Sequence, residues 1–228
     1  MDVIFDYQKV SPSRVIGACI EPRQITSIDS KNYFTAFGKG TFNKKQSKWA
    51  PASKPYKIVD IAWMGQYIRC GCAKLATDEL RSLIATAEKP EIRDFKAKEF
   101  ETVAVAGTFD YRNAASLRSR SRYIVLDIDN LLSMGEACEL RNTLVEDEIV
   151  ETALCFVSPS GLGVKWVVEL PEWCKDLDFQ QQYFSLSSHL GFQYGIQADP
   201  ACSDVCRLCY LPYDPDCFIN PKYQIYHE

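Results

Sequence analysis

Six residues, Ser158-Pro159-Ser160-Gly161-Leu162-Gly163, separate two strand-like runs at 152–157 and 164–170. A link this short cannot return the chain to a parallel neighbour, which needs a crossover of a dozen or more residues, so the two runs are expected to pair as a hairpin. A third run, RYIVLDIDN at 122–130, precedes them. Between it and the hairpin, Ser133 with Glu136 three residues on makes a capping box for a helix to about Val145. Beyond the hairpin, Phe179, Tyr183, Leu186 and Leu190 fall on one helical stripe with Gly191 at its end. A strand at 102–106 and a final unit, 198–215, ending in the apolar LCYLP, complete the order β-β-α-β-β-α-β from Ala104 onward. That order predicts an α+β fold, an antiparallel or mixed sheet backed by helices rather than a doubly wound parallel one.

The first hundred residues carry weaker signals. Strand-like pieces occur at 2–5 and 14–19, and the Gly, Ser, Lys and Pro content of 38–55 reads as a long loop. Thr77 is placed to cap a helix whose Leu80, Leu83, Ile84 and Ala87 share a face, with Pro90 just past Lys89 as its stop. The chain has 46% apolar residues, enough to bury a sizeable core. No apolar run has the length of a membrane span and the start lacks a signal-peptide pattern, so a cytoplasmic location without membrane contact is expected. Ten cysteines then read as reduced thiols or metal ligands.

Asp127 and Asp129 end the LDID run. Side chains two apart on a strand share a face, so the two carboxylates are expected side by side, an arrangement suited to Mg²⁺ or Mn²⁺ with substrate phosphates and water completing the shell. In the SPSGLGVKW stretch, Gly161 and Gly163 allow a tight turn, and Lys165 enters the next strand with an amine for a phosphate. In 199–215, Asp199 is placed both to cap a helix before Pro200 and to serve as a third acid, while Arg207 can pair with a triphosphate.

Net charge is −4, against an all-over basic surface, but basic residues cluster. Lys39, Lys44, Lys45, Lys48, Lys54 and Lys57 fall in one acid-free stretch with Phe42, Trp49 and Tyr56, and Arg112, Arg118, Arg120 and Arg122 in a second. Lysines for phosphates and rings for bases suit single-stranded nucleic acid. Cys202, Cys206 and Cys209, with Cys217, have iron–sulfur spacing but lack the barrel such sites open, and Cys70 with Cys72 reads as buried thiols. Only His189 and His227 are present, which disfavours His-dependent hydrolases.

LDID, SPSGLGVK about thirty residues on, then an acid and an arginine before LPYDP, together resemble the archaeo-eukaryotic primase superfamily. The nearest resemblance is to bacterial prim-pol-like domains that precede virulence-associated E-type helicases on mobile elements. It extends from about Lys96, through AGTF, to Asp214. The resemblance implies one domain over 1–228, with an N-terminal αβ subdomain at 1–100 and an RRM-like catalytic subdomain at 101–228. It implies Asp127, Asp129 and Asp199 as catalytic metal ligands, and Ser158, Ser160, Gly161, Gly163, Lys165 and Arg207 around an incoming nucleoside triphosphate. Lysine at 165 departs from the histidine usual there. Lys39, Lys44, Lys45, Lys48, Trp49 and the four arginines would hold single-stranded or primed DNA, with a helicase as partner. The expected activity is metal-dependent nucleotidyl transfer. The rivals are a non-catalytic nucleic-acid-binding module on the same fold and a metal-dependent nuclease or phosphatase.

Overall fold

The computed structural model describes residues 30–224; the strand-like pieces at 2–5 and 14–19, and His227, lie outside the described residues. The chain enters β1 (Phe34–Phe37), a hairpin of β2 (Thr41–Asn43) and β3 (Lys48–Ala50), and β4 (Lys57–Val59). Three helices follow: α1 (Ile61–Arg69), α2 (Lys74–Leu83) and α3 (Lys89–Glu99). Next come β5 (Thr102–Ala104), β6 (Gly107–Phe109), β7 (Leu117–Arg120) and β8 (Tyr123–Ile128). The remainder is α4 (Met134–Val145), β9 (Thr152–Val157), β10 (Val164–Glu169), α5 (Phe179–Tyr194), β11 (Cys209–Tyr210) and β12 (Phe218–Ile219). The fold is α+β, as expected, and every strand pair among the described residues is antiparallel.

Two four-stranded sheets organise the molecule, one ordered β11-β5-β1-β4 and the other β12-β9-β10-β8. The second shows why a two-residue period decides the architecture. Ile124, Leu126 and Ile128 of β8 point to a core shared with α4 and α5, together with Trp166 and Val168 of β10. Trp166 is fully buried there and its indole N–H donates to Thr152 Oγ1 at 2.7 Å, so the ring is enclosed without leaving its polar atom unmet. Tyr123 and Val125 point the other way, to a core built with β1 and α1. Asp127 continues that second set. The two sheets are not divided at residue 100, because β5 and β11 pair into the sheet that holds β1, and Trp63 and Met64 of α1 share a core with Leu154 and Phe156 of β9.

Several local expectations differ from what forms. Thr77 lies inside α2 rather than at its start: its hydroxyl donates to Ala73 O at 2.8 Å and accepts the Tyr213 N–H at 2.9 Å, tying the C-terminal loop to the helix. Pro90 stands in the first turn of α3, where a missing N–H costs nothing, and Glu91 returns a bond to the Glu88 N–H at 2.9 Å; the proline opens a helix instead of ending one. Within the 38–55 loop the β2–β3 hairpin forms, turned at 44–47, and Gly40 donates to Ala97 O at 2.7 Å to dock it on α3. Gly191 is interior to α5, which ends at Gly195, whose φ of 70° needs no Cβ.

Candidate functional site

Register sets the site. Within the β12-β9-β10-β8 sheet, Lys165 of β10 is the cross-strand partner of Asp127 of β8. Their side chains form an ion pair almost closed from solvent, 9% and 10% exposed. Burial alone would lower the Lys165 ammonium, but the adjoining Asp127 carboxylate outweighs it and leaves the amine held above its usual range. Asp127 Oδ1, by contrast, is buried and meets no hydrogen-bond donor.

The C-terminal segment brings the second acid. Asp199 N–H donates to Asp127 O at 2.8 Å, and Tyr183 OH donates to Asp199 O at 2.5 Å, so the turn at 199–203 is fastened along the open edge of β8. The Asp199 side chain caps that turn through Ala201 N–H at 3.0 Å and takes Arg207 Nη2 at 2.9 Å. Both sequence roles, cap and acid of the site, are thus compatible in one rotamer. Carboxylate oxygens of Asp127 and Asp199 and the Cys202 thiol lie within 4.8 Å of one another, the one such group among the described residues.

Asp129 is not a member of that group. The strand stops at Ile128, and Asn130 takes a left-handed φ of 64° as Leu131 N–H bonds Leu162 O at 3.0 Å, so the alternation that would align Asp129 with Asp127 ends one residue short. Partial desolvation and the Asp127 charge hold the Asp129 carboxyl above its ordinary range. The glycine turn beside it is tightly built. Ser158 N–H donates to Gly163 O at 2.8 Å, Ser158 and Ser160 hydroxyls meet at 2.9 Å, and Gly161 has φ 78°. A Cβ on Gly163 would lie 2.4 Å from Ile128 O, so close approach of the turn to the end of β8 requires glycine.

Asp127 and Asp129 open onto a groove of about 680 Å³ lined by six basic and four acidic side chains. Lys48 and Trp49 reach it from β3, and Arg112 and Arg207 also line it. Sequence reasoning missed Arg93 and Lys96, three apart on one face of α3, as well as Asp204 and Tyr210. The missed signal was the helix itself, since only a helix makes positions 93 and 96 neighbours. Burial and the nearby Lys165 charge depress the Lys96 amine, with Asp129 and Asp127 opposing.

Other expected contacts disperse. Lys44 and Lys45 sit at the exposed hairpin tip, and Lys39 pairs with Glu99 at 3.3 Å. Arg118 pairs with Asp110 at 2.5 Å on the surface. Arg120 and Arg122 line a different pocket, beside Lys31 and the start of α5. Cys202, Cys206 and Cys209 pack in three separate cores and Cys217 is fully buried, so iron–sulfur spacing in sequence does not become a thiol cluster in space.

Whether these residues suit a divalent cation turns on Asp127. Its buried, donorless Oδ1 is an acceptor lacking a partner, and Asp199 stands within reach; the pair fits a hard cation. Cys202 fits such a cation poorly, because sulfur is a soft donor and Mg²⁺ takes hard oxygen ligands. Lys165 and Arg207 already offset the two acids, so a metal would share the floor with two resident cations.

Residues 94–218 match the family model described as BT4734-like, N-terminal domain, which spans more than half of the chain, and the chain belongs to that family. The matched range includes Asp127, Asp129, Lys165, Asp199 and Arg207 and leaves out the β2–β3 hairpin. No curated protein and no solved structure matches the chain.

Proposed function

We propose that this member of the BT4734-like N-terminal domain family is a template-dependent nucleotidyl transferase of the primase-polymerase type. The observation that carries the reading is the convergence of Asp127 and Asp199, with Asp127 opening onto a groove lined by cations and by Trp49. Phosphoryl transfer asks mainly for positioning and charge stabilisation, and a groove with acids at its floor and cations on its walls supplies both.

Asp127 and Asp199 would hold Mg²⁺ or Mn²⁺, which when bound activates a 3′-hydroxyl and steadies the leaving pyrophosphate. Lys165 remains paired with Asp127 across the two strands. Neutralising a triphosphate therefore falls to Lys96, Arg93 and Arg112 around the groove, with Arg207 exchanging Asp199 for phosphate. Ser158 closes the turn through its N–H to Gly163 O, and its hydroxyl meets that of Ser160. Trp49 and Lys48 would stack a template base and hold its phosphate. Replication of a mobile element with a helicase partner belongs to this proposal through the sequence resemblance.

A non-catalytic nucleic-acid module is favoured by one specific observation: each of the two convergent acids already carries a cation, Lys165 on Asp127 and Arg207 on Asp199, so the floor is balanced without metal. Primer extension with Mg²⁺ or Mn²⁺ and labelled nucleotides, run beside Asp127→Ala and oligonucleotide binding in chelator, separates the two. Chain growth abolished by the substitution supports transfer. Metal-independent binding unaffected by the substitution, without chain growth, supports the module, and loss of substrate without growth indicates a nuclease.

A further inference from the structure

A second pocket, of about 500 Å³, lies where the turn at Ser30–Asn32, the end of β7 and the start of α5 meet. Four basic side chains reach it, Lys31, Arg120, Arg122 and Lys175, against two acidic ones, Glu169 and Asp178. Both acids already have partners, Glu169 with Arg122 of the pocket itself, and Lys175 pairs with Glu172. Glu169 takes Arg122 at 3.2 Å on one oxygen, and Lys222 and Tyr223 OH at 2.6 Å on the other. Asp178 caps α5 through Gln181 N–H at 2.9 Å.

Arg120 is left without a carboxylate. Its guanidinium lies 4.2 Å over the Phe179 ring, and its polar contact is Gln182 Oε1 at 3.4 Å, an amide fixed by its own bond to Cys174 O at 3.2 Å. Arg120 Nε is buried with no acceptor, and so is Arg122 Nε. Burial, unopposed by any nearby acid, pulls the Arg120 guanidinium down to about 10, where it is still charged at neutral pH. Largely desolvated cations in folded proteins are normally paired, because an uncompensated charge costs far more than a paired one.

We propose that this pocket is a second anion site, separate from the acidic groove, which takes a phosphate group on Arg120 with Lys31 and Lys175 at its rim. The planar guanidinium fork matches phosphate geometry, and the volume falls in the range of small-molecule sites, large enough for a mononucleotide. The phosphate can come from a free nucleotide or from a nucleic-acid backbone. The site does not depend on the acids of the groove and stands whether or not the chain transfers nucleotides. Phe179 lines both this pocket and the small cleft behind Asp127 and Lys165, so one ring separates the two regions.

Two titrations test it, one with inorganic phosphate and a nucleoside 5′-monophosphate followed by calorimetry, the other with a labelled oligothymidylate followed by anisotropy. Arg120→Gln is expected to weaken the small phosphates at least about tenfold, the scale of one charge-assisted contact, and Lys31→Gln with Lys175→Gln about threefold. Arg118→Gln, on the surface outside both pockets, should leave small-phosphate binding within about twofold of the parent. Oligonucleotide affinity falling in parallel with Arg120→Gln assigns the phosphate to a backbone; mononucleotide affinity falling alone assigns it to a free nucleotide. Absence of saturable phosphate binding by the parent overturns the proposal, as does binding lost on Lys96→Gln in the groove and retained by the pocket variants. Should Arg120→Gln fail to fold, the two rim substitutions, both outside the core, decide.

Discussion

Replacing Lys165 by Met asks what stabilises Asp127 in a nearly closed site. Methionine preserves most of the lysine stem, so packing against β8 changes little, while the ammonium is removed. Asp127 Oδ1 already lacks a donor, and the substitution deprives Oδ2 of its ion partner as well. Breaking a buried pair by removing one partner costs about 3–5 kcal/mol, because the remaining charge stays desolvated. Against a total stability of about 5–15 kcal/mol typical of domains, that loss is large. Urea unfolding at neutral pH in chelator should therefore show a lower midpoint at unchanged slope. Adding Mn²⁺ at a hundredfold over its dissociation constant should return about 2.7 kcal/mol to Lys165→Met, and less to the parent, whose ammonium competes for the same oxygen. Changing Asp127 to Leu in the same variant should also restore stability, since a well-packed apolar pair is commonly no worse than a buried ionic one. A Lys165→Met protein within about 1 kcal/mol of the parent in chelator would refute the reasoning, because Asp127 would then be stabilised by something other than its cross-strand neighbour.

Trp49→Ala should weaken single-stranded oligonucleotide binding by about 1–3 kcal/mol in anisotropy titrations, whereas Arg118→Gln, outside the groove, should leave it unchanged. Gly163→Ala places a Cβ against Ile128 O, so thermal unfolding should show a loss of at least about 1–3 kcal/mol and displaced Asp129 resonances. Burial pushes Asp147 up, but bonds from His189 and Tyr194, each 2.7 Å, and from Val150 and Ile149 N–H outweigh it and hold the carboxyl below its ordinary range. A carboxyl depressed on folding contributes stability that is present above its unfolded value of about 3.9 and lost as pH falls through the folded value. Asp147→Asn should accordingly flatten the acid limb of the stability–pH curve below about pH 4, measured by urea unfolding at a series of pH values.

Local chemistry was legible in the sequence where one segment decides its own structure. The β9–β10 hairpin follows from a six-residue link, and α4 starts at Ser133, whose hydroxyl accepts the Glu136 N–H at 3.1 Å, while the Glu136 carboxylate reaches back to Leu132 N–H. Helix α1 was hard to read, because six of its nine residues, Ile61, Trp63, Met64, Gly65, Tyr67 and Ile68, are buried and only Gln66 and Arg69 mark its polar side. Nor could spacing show that Lys165 stands opposite Asp127, since that depends on β10 pairing with β8 in one register. Arg120 and Arg122 read as one basic run with Arg112, yet β7 carries them to another pocket from Arg112. Sequence order recorded the charges; strand direction decided which surface received them.

The central claim is tested most directly by single-turnover nucleotide incorporation into a primed template with Mn²⁺, comparing the parent with Asp199→Asn. Asp199 is held beside Asp127 by its own backbone N–H, so this substitution removes a ligand charge while keeping the turn. The account predicts incorporation by the parent and a loss of at least about a hundredfold in the variant, comparable to removing one transition-state charge contact. Incorporation that survives the substitution, or a parent that binds the template and never extends it, would contradict it.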